Sequence, residues 1–443
     1  MDSRDQTCAV TQLLKQVRLL DPRSETDQIA DVLIEKGQIK QIHSQITDYP
    51  ASIPVKDADG LIFAPGLVDI YSHSGEPGNE ERETLASLGK AALAGGFTRV
   101  GILPDTQPPL DSLASLRWLQ NVTSPEAPQF YWWGYLTQGG KGEMMTALGE
   151  LATAEVIGFS EGVSLGNLGL LQRCLEYLQP WGKVVALSVR DMAPPFAEGN
   201  RALTHQGVIR EGLFSLQTGL PGDPIISETA TLAAILELVA VTETPVHLMG
   251  ISTARGVELI AEAKARGVPV TASTTWMHLL LSTATVSSYD PSLNITPPLG
   301  NPTDQAALIA GVKSGTIDAI AVNHTPYTYE EKTVAFAETP PGAIGLELAL
   351  PLLWQTFVET GEWTALELWN ALSLSPQRCL QQPQLRCAVG EPTEAILFDP
   401  KKSWIVNQNH LKSLSANTPW LHQEIVGQVV DVFLNNDVKQ LKL

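Results

Sequence analysis

The sequence predicts an α/β chain: a (β/α)8 barrel with a small β-sandwich domain built from both termini. Three observations carry that reading. The 443 residues are too many for one small core and enough for a barrel plus a minor domain. Short apolar runs alternate with stretches of helical periodicity through the middle of the chain, whereas both ends are strand-rich, with turns between the strands. An open doubly wound sheet is the competing arrangement. It usually has fewer strands, and its Gly-x-Gly-x-x-Gly fingerprint is absent after the first run.

In chain order, the first strands are expected at 12–20, 31–35 and 38–42, with Lys36-Gly37 turning the chain between the last two. Eight β-like runs follow at 66–70, 99–104, 129–136, 156–160, 184–189, 245–251, 269–275 and 319–323. They are apolar enough to be buried on both faces, as parallel strands require. Helical periodicity marks 80–94, 165–178, 228–241, 253–265, 303–313 and 345–357. The final strands are expected at 395–399, 403–406 and 427–435. These place the first part of the β-domain at 1–64, the barrel at 65–388, and the second part of the β-domain at 389–443.

Composition narrows the function. The formal net charge of −19 repels phosphate backbones and anionic lipid surfaces, which argues against nucleic-acid and membrane partners. Hydrophobic residues at 44% exclude wholesale disorder. Cys8, Cys174, Cys379 and Cys387 form no Cys-x-x-Cys pair and read as free thiols in a reducing compartment. The first residues lack the pattern of a secretory signal, and no window approaches a membrane span, so a cytoplasmic location is expected.

Barrel chemistry sits where strands end at the carboxyl face, so strand-end residues are the informative ones. Those residues carry a resemblance. Pro65-Gly66-Leu67-Val68-Asp69-Ile70-Tyr71-Ser72-His73 resembles the Pro-Gly-hydrophobic-hydrophobic-Asp-x-His-x-His opening of the amidohydrolase superfamily. Glu76-Pro77-Gly78, Gly95-Gly96, Leu103-Pro104-Asp105-Thr106, Thr296-Pro297-Pro298-Leu299 and the segment from Ser413 to Pro419 narrow it to the longer dihydroorotases. The resemblance implies one or two zinc ions at the barrel mouth, a metal-activated water, and an aspartate on the eighth strand that shuttles the proton.

The implied ligand set is largely missing. Tyr71 replaces the first histidine of the His-x-His pair and leaves His73. Ser188 and Gly250 replace the histidines of the fifth and sixth strands, and Asn323 replaces the general base. Glu161 could still offer a carboxylate at the fourth strand, within a one-residue uncertainty of alignment. The substrate positions change too: Gly75 and Gly300 stand for arginines, Asp105 for asparagine and Tyr327 for histidine. Dihydroorotate carries a carboxylate that such cations clamp, so the mouth is expected to be neutral or negative. His247 and His324 read as packed, hydrogen-bonded residues. Gly158-Phe159-Ser160-Glu161-Gly162 fits a nucleophile elbow only by chance, since that elbow belongs to another fold.

The expectation is a catalytically inactive dihydroorotase-like protein of pyrimidine biosynthesis, without a cofactor, supporting aspartate transcarbamoylase in a homo- or hetero-oligomer. The alternative is a divergent cyclic amidohydrolase with one zinc on His73 and Glu161. A third reading is a binder of a small metabolite in the vestigial pocket.

Overall fold

The computed structural model describes residues 11–124, 127–161, 167–190, 207–434 and 440–442. Cys8 and Gly162 lie outside them. Eight parallel strands form one sheet in sequence order: Leu67–Ser72, Phe97–Ile102, Gln129–Tyr135, Gly158–Glu161, Val184–Ser188, Val246–Met249, Val270–Thr275 and Ala319–Ala321. Each matches an expected run to within a few residues. The first and eighth strands close the ring through individual bonds rather than a ladder. Asp69 Oδ1 accepts from the Val322 N–H at 2.8 Å, and the His73 N–H donates to the His324 carbonyl at 2.9 Å.

Period-two alternation sorts these strands into two layers. Val68, Ile70, Tyr131, Trp133, Val184, Ala186, Ala319 and Ala321 fill the barrel. Residues of opposite parity, such as Val100, Phe159, Val185 and Leu248, face the outer helices. Trp133 is fully buried and its Nε1–H donates to the Ile70 carbonyl at 2.9 Å. A Cβ at Gly101 would lie 2.0 Å from that carbonyl oxygen, so only glycine lets the tryptophan cross there.

The helix expected from residue 80 starts at Leu85, where Thr84 and Ser87 form a reciprocal cap. Residues 75–83 are thereby freed as a loop that reaches the mouth. The stretch at 345–357 is α-helical only over Ala349–Leu353 and widens to a π-helix at Trp354–Val358.

The strands from both ends join in a second sheet, where Ile62–Pro65 pairs antiparallel with Ala395–Ile405, which is the expected β-sandwich domain. The strands expected at 395–399 and 403–406 are one strand, Ala395–Ile405. Asp399 Oδ1 accepts the N–H groups of Lys401 and Lys402, absorbing the register shift so that both halves keep the partner Glu424–Phe433. No helix of the described residues is long and apolar enough to cross a membrane.

Candidate functional site

A cavity of about 270 Å³ opens at the carboxyl end of the barrel. Of the ten positions singled out in the sequence, Tyr71, His73, Gly75, Asp105, Ser188, Gly250, Asn323 and Tyr327 line it. Glu161 and Gly300 do not.

Glu161 is absent for a reason of parity. Gly158 abuts Trp133 inside the barrel, so Ser160 faces inward while Glu161 shares the outward face with Phe159. Its carboxylate is 1% exposed and accepts from the Thr137 N–H at 3.0 Å and the Thr137 hydroxyl at 3.0 Å. Burial pushes it up to about 7 against those hydrogen bonds. The carboxylate offered by the sequence therefore belongs to the wall, and the serine beside it faces the interior.

Two histidines near the cavity differ in state. His247 is fully buried beneath Tyr71, with Nδ1 2.9 Å from Thr271 Oγ1 and Nε2 2.9 Å from Ser273 Oγ. Burial, helped by the Lys264 charge, drives it down to about 3, so it is neutral. The Tyr71 hydroxyl lies 3.3 Å from the same Ser273 Oγ, and its ring fills the space over the histidine. His73 is half-buried, with Nδ1 2.6 Å from Asp105 Oδ2. Enclosure works against a charged ring there, but the carboxylate, its hydrogen bond and the Asn323 amide outweigh it and raise the imidazole. Asp105 is held below the usual carboxylate range, since His73 outweighs the opposing burial.

These residues do not fit a zinc ion. Among the described residues, no group of three or more histidine, cysteine, aspartate or glutamate side chains could hold a metal. At the mouth the donors reduce to one imidazole and the carboxylate it is bonded to, where catalytic zinc takes three protein ligands. At the fifth-strand position stands the Ser188 hydroxyl. At the sixth, Gly250 holds φ +65°, and a Cβ there would sit 3.0 Å from Pro297 Cδ. Asn323 is also left-handed at φ 53°, with its amide 3.3 Å from the Thr296 carbonyl.

The two glycines at the arginine positions leave no room for side chains. A Cβ at Gly75 would meet the Asn79 and Glu83 carbonyl oxygens at 2.4 Å, and one at Gly300 would meet Asp304 Cβ at 2.7 Å. Yet the mouth is not without a cation. Arg82, which the sequence reading missed, lines the cavity from the loop ahead of Leu85. Its guanidinium sits 4.8 Å over the Tyr327 ring and bonds Glu331, with Nε–Oε1 at 3.0 Å. The stretch 80–94 read as helix, which hid this residue on an outer face. Only the Thr84/Ser87 capping pattern signals that the helix begins after it.

A strap from the β-domain completes the mouth. The Leu414 N–H and the Ser413 hydroxyl both donate to Glu83, whose carboxylate also faces His324 Nε2 at 3.4 Å. The Ser415 hydroxyl donates to the Arg82 carbonyl at 2.8 Å. Asn417 Nδ2 donates to the Thr325 and Gly342 carbonyls at 3.0 and 3.1 Å, while its Oδ1 accepts from the Tyr327 N–H at 3.2 Å. His324 is thus a buried cross-link, its Nδ1 accepting from the Gly345 N–H at 3.2 Å.

No family model matches the chain. Among curated proteins, it is 45% identical to a "probable dihydroorotase-like protein" of Synechocystis sp., over 95% of this chain and 99% of the relative. It is 35% identical to a dihydroorotase of Pelobacter propionicus, over 94% of this chain and 96% of the relative. Among solved structures, an L-hydantoinase (dihydropyrimidinase) from Arthrobacter aurescens superposes with a TM-score of 0.83 at 20% identity, covering 97% of this chain and 96% of that one. A D-hydantoinase from Thermus sp. gives 0.79 at 19% identity, covering 97% of this chain and 96% of that one. With that level of full-length identity, on a barrel whose mouth still gathers the strand-end residues of the resemblance, the chain belongs to the dihydroorotase family of cyclic amidohydrolases.

Proposed function

We propose that this chain is a non-hydrolysing member of the dihydroorotase family that serves as a structural or regulatory partner of aspartate transcarbamoylase. One observation carries the loss of chemistry. The only imidazole lining the cavity among the described residues is already bonded to Asp105, and no second or third ligand faces it. Hydrolysis of a cyclic amide needs a polarised carbonyl and an activated water. The eighth-strand position that would move the proton carries an amide, which neither accepts nor releases one at neutral pH. The mononuclear alternative needs Glu161 at the mouth, and Thr137 holds that carboxylate in the wall. The partner follows from the family's place in pyrimidine biosynthesis, and the net charge of −19 suits a partner with a basic patch.

Elemental analysis of protein purified without chelator tests the first half. Less than one-tenth of a zinc per chain is the expected result, and one zinc per chain overturns the proposal. Co-purification of aspartate transcarbamoylase with the tagged chain from its own host tests the second half. Two chains that elute separately at micromolar concentration refute the partnership.

A further inference from the structure

The mouth cavity persists although its residues do not fit a metal, and its charges are arranged unlike an anion site. Its cations are matched in place: His73 by Asp105, and Arg82 by Glu331. An anion entering the cavity would leave water beside the Asp105 carboxylate, and a cation would do so beside Arg82. Either would give up hydration against an unfavourable neighbour in a partly enclosed pocket. The arginine positions cannot be refilled, since Gly75 has backbone oxygens where a Cβ would go.

What remains free is hydrogen-bonding capacity without charge. The Ser188 hydroxyl, the Tyr327 hydroxyl and the Asn79 side-chain amide line the cavity and make no hydrogen bond within the described residues. Leu103, Met249 and Pro297 supply apolar walls between them. A few placed polar groups on an otherwise apolar concave surface are the usual make-up of a small-molecule site. The volume of about 270 Å³ admits a single heterocyclic ring, since a cavity of about 150 Å³ already holds benzene.

We propose that the mouth is a binding site for a small uncharged ring bearing amide edges, held without turnover and selected against carboxylated rings. The proposal rests on the non-hydrolysing reading for the absence of turnover. Its selectivity stands independently, on the matched charges. The ring places its amide edges on Ser188, Tyr327 and Asn79 and its faces on the apolar walls. Asp105 is the specificity determinant: it both neutralises His73 and repels a ligand carboxylate.

Uracil and orotate make a matched pair of probes, since they differ by one carboxylate. Thermal shift and calorimetry on the full chain should show uracil binding, with orotate weaker by about tenfold or more. Asp105→Asn should narrow that gap several-fold, because it removes from the cavity wall the carboxylate that repels a ligand carboxylate. Ser188→Ala should weaken uracil several-fold while leaving the melting temperature of the free protein unchanged. Orotate binding as tightly as uracil to the parent chain, or neither probe shifting the melting temperature, overturns the inference. So does an undiminished gap in a folded Asp105→Asn variant. Turnover of dihydroorotate measured on the same samples separates the two readings: ring opening would refute the proposed function, whereas the probe preference alone decides the inference.

Discussion

His247 and His73 lie near the same cavity and have opposite chemistry. His247 sits in the barrel interior, satisfied by two hydroxyls and forced neutral by burial. His73 sits at the rim, where a carboxylate 2.6 Å away favours its charged form. Burial sets the state of the first and a partner sets that of the second. In the barrel interior His247 is thus held neutral between two hydroxyls, while at the rim His73 and Arg82 keep charge in pairs with Asp105 and Glu331. Zinc in related chemistry demands several unprotonated donors facing one point, and neither regime here supplies them.

That contrast can be broken at several points. The largest effect is expected from His247→Ala, which leaves a hole under Tyr71 and strips Thr271 and Ser273 of a partner. A loss of about 3 kcal/mol in denaturant unfolding is expected, and a loss under 1 kcal/mol would show that the interior network is not structural. Next comes the wall carboxyl. Glu161, raised to about 7, is protonated in the folded chain at pH 5 and must ionise in place above pH 7, so its contribution to stability falls as pH rises through that interval. Glu161→Gln removes that penalty. The variant should gain on the parent by about 2 kcal/mol between pH 5 and pH 8, and a pH-independent difference would place the ionised form in a solvated setting.

A smaller effect probes the sixth-strand position. Gly250→His puts a side chain at φ +65° against Pro297, so it should cost about 1–2 kcal/mol and still bind no zinc. Zinc uptake by that single variant, read by elemental analysis, would mean that the mouth has kept more of the metal geometry than its donors indicate. The smallest effect belongs to the rim. His73→Ala should cost about 1 kcal/mol or less, because the pair is partly exposed. A raised imidazole contributes fully below its unfolded value near 6.5 and loses that contribution as pH rises through the folded value. The cost should accordingly be measurable at pH 6 and shrink toward pH 9. A cost that grows with pH would contradict the ion pair.

The wall was legible in the sequence because parallel strands read as apolar runs with helical spacing between them, and burial on both faces enforces that pattern locally. All eight strands appear where the runs stood. The mouth was legible only where a motif fixed position, as at Tyr71, His73, Gly250 and Asn323. Glu161 misled because a shift of one residue in a strand exchanges inside for outside, and composition does not report which. Arg82 escaped because helical spacing continues back from Leu85, and only the Thr84/Ser87 cap ends it. The Asp105–His73 pair joins loops 32 residues apart and became visible only with the fold.

Asn417 gives the mouth an order of manufacture. It pins the loops that carry Thr325 and Gly342, as its neighbour Ser415 pins the one that carries Arg82, yet these anchors belong to the last tenth of the chain, after the whole barrel has been laid down. During synthesis the eight strands can close before that strap exists, leaving a barrel whose rim is still unset. The cavity is therefore finished last, by the domain that contributes no strand to it. A version cut back to the barrel would inherit every strand-end residue and still lack the rim that makes them a site.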